Sequence, residues 1–174
     1  AGRRADELGR EFEDEVASKL SGLGLEASTR RTVNDLLQQG SDADLGDVDV
    51  FAISADQSRV WVIEAKNLRL CRTESEVAAR MTEYRGQTRS DRKGVERPDK
   101  MLRHLNRVRH LRNHAQELGQ RLGLPAAPEV EGLMVVDAPQ PMNFHMLDDS
   151  PDAGSCMLDD VASAIALPTA FTSS

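Results

Sequence analysis

Aromatic side chains are scarce in this chain: one Trp, one Tyr and four Phe make up 3% of its 174 residues. So few rings argue against a stacking platform for single-stranded nucleic acid. Cysteine is scarcer still. Cys71 and Cys156 stand far apart, with no CxxC or Cys/His cluster around either. That argues against zinc and for two reduced thiols in an intracellular, cytoplasmic protein. No apolar run is long enough to span a bilayer and no signal-peptide pattern opens the chain, so no membrane partner is expected. Met is missing from the start, as expected of a processed chain or a piece of a longer protein. The length suits one domain over residues 1–174, with a core over about 5–167 and a small, polar tail at 168–174 that frays.

An overall basic charge is also lacking. The net charge is −7, which taken alone argues against a nucleic-acid partner. The distribution reverses that impression. Residues 79–113 hold eleven Lys/Arg against four Asp/Glu, a local +7 that leaves −14 for the rest. Local potential governs attraction to phosphate, so a basic surface on an acidic body is expected.

Periodicity orders the rest. Leu8, Phe12, Val16 and Leu20 recur every fourth residue and predict a helix over 5–20, ended by Gly22 and Gly24. A weak strand follows over 25–32. Residues 33–45 read as loop, with Leu36 and Leu37 anchoring a turn. Two strong strands occupy 46–53 and 60–66, both rich in β-branched and aromatic residues. Thr73-Glu74-Ser75-Glu76 fits a capping box for a helix toward Tyr84, and 86–98 reads as a charged, mobile connection. Pro98 and Asp99 start a long helix through Leu122. A strand over 132–137 and a helix capped by Asp159-Asp160 complete the order, which implies an α/β fold with a mixed sheet covered by helices. Trp61 is expected in the core. His145, with Asp148 and Asp149, reads as a solvated loop.

The two strong strands carry charges where strands are normally apolar. Asp47 and Asp49 share one face of the first, and Glu64 and Lys66 share one face of the second. A hairpin symmetric about the Asp56/Gln57 step puts Asp49 opposite Glu64 and Asp47 opposite Lys66. Carboxylates about 5 Å apart across a ladder repel, and on apolar strands they need a neutralising partner. A divalent metal with an ammonium beside it supplies one.

These residues carry a resemblance. Gly-Asp-Val-Asp at 46–49, a hairpin, and Ile-Glu-Ala-Lys at 63–66 resemble the core of the PD-(D/E)XK nuclease superfamily, with its restriction-endonuclease-like fold. Gly9-Arg10-Glu11-Phe12-Glu13 resembles the opening of Mrr-like and nuclease-related domains. The likeness spans roughly residues 5–137 by order of elements, and no Pro-Asp stands at the first acidic motif, which leaves the choice between Asp47 and Asp49 open. The resemblance implies a mixed central sheet flanked by helices and Mg²⁺-dependent hydrolysis of DNA, with Mn²⁺ able to substitute, in restriction, repair or recombination. It implies Asp49, Glu64 and the Ala65 carbonyl as metal ligands. Lys66 would contact the attacking water or the scissile phosphate, and Glu13 would complete the site from the first helix.

On the long helix, Lys100, Arg103, Arg107, His110, His114 and Arg121 recur at three-, four- and seven-residue spacing. They predict a phosphate-binding stripe, led by Lys100, Arg103 and Arg107, for duplex or branched DNA. Cutting both strands with one small site favours a homodimer or a larger multidomain protein. The competing readings are a nucleic-acid-binding module of this fold that cleaves little or nothing, and a structural or protein-interaction domain inside a larger restriction, repair or recombination protein.

Overall fold

The computed structural model describes residues 2–37, 45–90, 94–141, 143 and 153–166. The expected tail and the His145 loop lie outside them. Helix α1 (Gly2–Gly22) leads into strand β1 (Glu26–Thr32) and the short helix α2 (Val33–Leu36). Strands β2 (Asp47–Ile53) and β3 (Arg59–Lys66) form the expected hairpin. Then come α3 (Glu74–Glu83), β4 (Thr88–Ser90), β5 (Glu96–Pro98), α4 (Lys100–Asn113), α5 (Ala115–Leu122), β6 (Glu129–Val136), β7 (Ala153–Met157) and α6 (Val161–Ala166). The main sheet runs β1-β2-β3-β6-β7, with β1, β2 and β3 antiparallel to their neighbours and β3, β6 and β7 parallel.

Helices cover both faces. Phe12, Val16 and Leu20 of α1 and Val161 and Ile165 of α6 pack on one side, against Val50, Ala52, Trp61, Ile63 and Val135. On the other, Leu36 of α2, Val108 and Leu111 of α4 and Leu118 of α5 meet Phe51, Ile53, Val60 and Val62. Strand β3 is therefore apolar on both parities, as a central strand covered twice must be. Its last residues, Glu64 and Lys66, come at the carboxyl end of the parallel part of the sheet, where open α/β sheets place their ligand clefts.

Several expectations need correction. Leu8 does not join the α1 stripe and is 43% exposed, because the core face of this helix begins at Phe12. The turn after β1 is a helix, set by a capping box: Thr32 Oγ1 accepts from Asp35 N–H (3.0 Å) and the Asp35 carboxylate accepts from Thr32 N–H (3.3 Å). At α3 only half of the expected box forms. Thr73 accepts from Glu76 N–H, whereas the Glu76 carboxylate accepts from Arg72 N–H.

The connection over 86–98 is not featureless but contains an antiparallel ribbon, with Arg89 opposite Arg97. The long helix breaks at His114, whose Nδ1 lies 2.8 Å from His110 O. Past the break, Gly123 takes a left-handed φ of +70° and closes α5. Nearby, a Cβ on Gly119 would sit 2.8 Å from Ala126 O, so glycine is required there.

Candidate active site

The hairpin register matches the symmetric expectation where it is paired, from Val50 opposite Ile63 to Ile53 opposite Val60. One step further along, Asp49 turns its carboxylate onto β3. Its Oδ2 accepts from Ala65 N–H (3.0 Å) and from Lys66 Nζ (2.8 Å). Lys66 Nζ also lies 3.0 Å from Glu64 Oε1, so one ammonium bridges both carboxylates. This resolves the partner of Lys66 in favour of Asp49. Asp47 is exposed and pairs through its backbone with Thr32 instead.

A local distortion accompanies this arrangement. Thr29 faces Val50 and Arg31 faces Val48, which leaves Arg30 opposite Asp49. Arg30 holds φ +54°, a left-handed conformation that costs an L-residue about 1–2 kcal/mol. Side-chain alternation also fails here, because Val48 packs with Phe51 and Ile53 rather than with Val50. The Arg30 guanidinium clamps the first helix, 2.9 Å from Glu13 Oε2 and 2.8 Å from Asp14 Oδ1. Backbone strain of this kind concentrates at functional sites, and the sequence offers no signal of it at Arg30.

The electrostatics tie these groups together. Burial pushes the Asp49 carboxyl above the usual aspartate range and the Glu64 charge pushes it further, despite Lys66 and the Ala65 N–H. Burial also raises Glu13; its hydrogen bond to Arg30 offsets part of the rise, and the Asp49 charge adds to it. For Lys66, burial alone would lower the pKa. The charges of Glu64 and Asp49, and hydrogen bonds to both, outweigh burial and hold it well above the lysine range. Lys66 is thus a fixed cation.

Helix α4 contributes a second cation from an unexpected direction. Arg107, read from sequence as part of a solvent-facing stripe, is only 7% exposed. Its Nη2 pairs with Glu64 Oε2 and its Nη1 donates to Leu45 O (3.2 Å). Two cations therefore flank Glu64. His104 is fully buried beside them, its Nδ1 4.0 Å from Glu64 Oε2. Burial, and then the Arg107 charge, push its pKa down to about 3. The ring is therefore neutral, and this approach is a polar contact rather than an ion pair. Along α4, His104 falls inside the apolar arc of Met101, Leu105, Val108 and Leu111, and Arg107 falls at its edge. That helical phase was the available signal. Lys100 and Arg103 stay closer to solvent and line a cleft of about 200 Å³ with Glu64, Lys66 and Arg107.

The donor set suits a hard cation. Asp49, Glu64 and the backbone at Ala65 offer only oxygen acceptors, and Mg²⁺ is commonly held by one or two carboxylates with waters and substrate phosphates. Burial first, and then the Glu64 charge, disfavour the ionised form of Asp49, and a bound cation would favour it. Among the described residues, no three His, Cys, Asp or Glu side chains gather as a ready-made ligand group.

A family described as "Anti-phage protein Upx-like" matches residues 3–161 of the chain. The chain belongs to this Upx-like family of anti-phage proteins. Its family is one of phage defence, and the match spans every element that builds the site, from α1 to β7. No curated protein and no solved structure matches the chain. No described helix is long and apolar enough to cross a membrane.

His104 gives the site a testable pH signature. The unfolded chain protonates this ring near pH 6.5, while the native state resists until about 3. Its contribution to stability is therefore complete above pH 6.5 and is lost as pH falls toward 3, at up to about 1.4 kcal/mol per unit. Asp49 and Glu13 act in the opposite sense, because their native pKa values are raised. Comparison with His104→Gln isolates the histidine. By urea unfolding, the stability difference between the two proteins should shift by about 2–3 kcal/mol in favour of the variant from pH 7 to pH 4.5. Parallel profiles would contradict a neutral, buried His104.

Proposed function

We propose that the protein acts in phage defence as a metal-dependent nuclease that hydrolyses phosphodiester bonds in DNA, with the PD-(D/E)XK type of site. The observation that carries this reading is Lys66 bridging Asp49 and Glu64 on adjacent strands, at the mouth of a cleft lined with further cations. Asp49 and Glu64, with the Ala65 carbonyl, would hold Mg²⁺, and Mn²⁺ would substitute. The bound ion would polarise the phosphoryl oxygen and make a water nucleophilic near neutral pH.

The chain's own residues supply the rest. Lys66 is held as an ammonium and so cannot accept the proton of the attacking water. Its task is to orient that water or to stabilise negative charge on the scissile phosphate. Glu13, raised in pKa and close enough to feel Asp49, is the candidate for handling a proton, with Arg30 fixing its orientation. Lys100 and Arg103 neutralise neighbouring phosphates across the cleft. Phage DNA is the substrate that unites this chemistry with the family's role.

One observation favours a binding module that does not cut. Both oxygens of Glu64 already have cationic partners, Lys66 and Arg107, so this carboxylate is neutralised without metal. Incubation with supercoiled, linear and single-stranded DNA in Mg²⁺, Mn²⁺ or EDTA separates the two readings. The nuclease reading expects nicked or linear products with either metal and none in EDTA. Intact DNA in every metal, with binding retained, would leave the module that does not cut.

A further inference from the structure

We infer that the β4–β5 ribbon and the first turn of α4 form a second binding site for the DNA backbone, in which Arg89 and Arg97 grip phosphates beyond those at the carboxylates. The identity of the polymer rests on the nucleic-acid reading above. The site itself rests on geometry. Arg89, Arg97, Lys100 and Arg103 line a cleft of about 210 Å³ together with Glu83 and Asp99. Lys100 and Arg103 also line the cleft that contains Glu64, Lys66 and Arg107. The two clefts therefore share a wall, and cations continue from the carboxylate site onto the ribbon.

The acidic groups in this lining are already engaged. Asp99 caps α4 by accepting from Leu102 N–H (2.7 Å) and also accepts from Gln87 N–H (3.0 Å). Glu83 Oε2 lies 2.8 Å from Lys100 Nζ. By formal charge the lining carries four basic side chains against two acidic ones.

The ribbon is held in place at its root. Asp99 N–H donates to Gln87 O (2.9 Å), so Gln87 and Asp99 are joined by two hydrogen bonds where the ribbon leaves α4. Gly86, at φ +75°, lies so close to Leu105 that a Cβ there would sit 3.3 Å from Leu105 Cδ1. Beyond that root the strands are three residues each and fully exposed, with no core of their own. Arg89 lies directly opposite Arg97. Two guanidinium groups in that position can hold one phosphate between them. Guanidinium pairs suit phosphate, since backbone contacts need charge and fork geometry alone.

The test is fluorescence anisotropy with a labelled 20-base-pair duplex in EDTA across a salt series, so that binding is read without cleavage. Arg89→Gln/Arg97→Gln should weaken binding by roughly tenfold or more, and should flatten the log affinity–log salt slope by about 1.8, or 0.9 per lost phosphate. Arg89→Lys/Arg97→Lys keeps the charge and should stay near the parent slope. Arg4→Gln, an exposed change on α1, should leave it unaltered. Both ribbon arginines are exposed, and equal melting temperatures of the variants verify the fold.

An unchanged slope in the Gln double variant overturns the proposal, as does a parent protein that does not bind duplex DNA. Displacement of the duplex by polyglutamate at equal charge concentration also overturns it, in favour of an acidic protein partner. A parent that binds through the ribbon but leaves DNA intact in Mg²⁺ would sink the nuclease reading and keep this site.

Discussion

Arg107→Ala is expected to destabilise the protein by about 3–5 kcal/mol, the range for breaking a buried ion pair from one side. Glu64 is 6% exposed and Arg107 7%, so the carboxylate left behind cannot recover its hydration. Lys66 remains beside it but is shared with Asp49. Arg107→Lys should rescue only part of the loss, because one ammonium does not reproduce a fork that reaches both Glu64 and the Leu45 carbonyl. The proposed metal site adds a second expectation. Removing Arg107 frees an oxygen of Glu64, so Mn²⁺ should raise the melting temperature of Arg107→Ala more than that of the parent. Urea unfolding measures the first, and thermal melting with and without Mn²⁺ measures the second. A loss under about 1 kcal/mol would show that the pair is not a buried, mutually dependent one.

Lys66→Ala should abolish cleavage by at least roughly 10²–10³-fold while keeping the fold and part of the metal affinity. Removal of one preorganised charge aimed at the transition state has an effect of that size. The ammonium is the only cation that bonds to both Asp49 and Glu64 among the described residues, so its loss brings two carboxylates face to face. A divalent ion can then take the place of the lost ammonium, so a thermal shift on adding Mn²⁺ should persist. Single-turnover cleavage, measured beside a Mn²⁺ melting series, separates the two effects. A Lys66→Ala protein that cuts like the parent would move the chemistry elsewhere.

The sequence made the centre of the fold legible because its signals there are local. Strands β2 and β3 announce themselves through β-branched runs, and the turn between them sets the register that brings Asp49 toward Glu64. The four-residue spacing of Phe12, Val16 and Leu20 gave α1. Strand β7 was missed because Ala-Gly-Ser-Cys-Met has little strand character; it forms by pairing with β6. The ribbon's three exposed residues per strand leave no pattern, so residues 86–98 read from sequence as a mobile connection. The break at His114 hides inside continuous helical periodicity and takes Arg121 out of line with Arg107.

At the site, the sequence singled out Glu13, Asp49, Glu64 and Lys66, and the fold brings Asp49, Glu64 and Lys66 into direct contact, with Glu13 close enough to feel Asp49. What it hid was their support. Arg30 holds Glu13 from a strained position that no residue pattern marks. Arg107 looked like a surface charge until the phase of α4 turned it inward, and His104 followed the same face. Arg30 depends on long-range packing rather than on neighbours in the chain, whereas Arg107 and His104 follow the apolar phase of α4.

The central claim is metal-dependent hydrolysis at the Asp49–Glu64–Lys66 cluster, and single-turnover cleavage of linear duplex DNA by the parent and by Asp49→Asn tests it most directly. Both proteins are assayed at equal fold content in Mg²⁺ and in EDTA. Asp49→Asn keeps the shape and the Ala65 hydrogen bond but removes the charge proposed to hold the ion. The expected result is cleavage by the parent in Mg²⁺ alone, and none by Asp49→Asn in either condition. Equal cleavage by the two proteins, or cleavage by the parent that persists in EDTA, would contradict the claim.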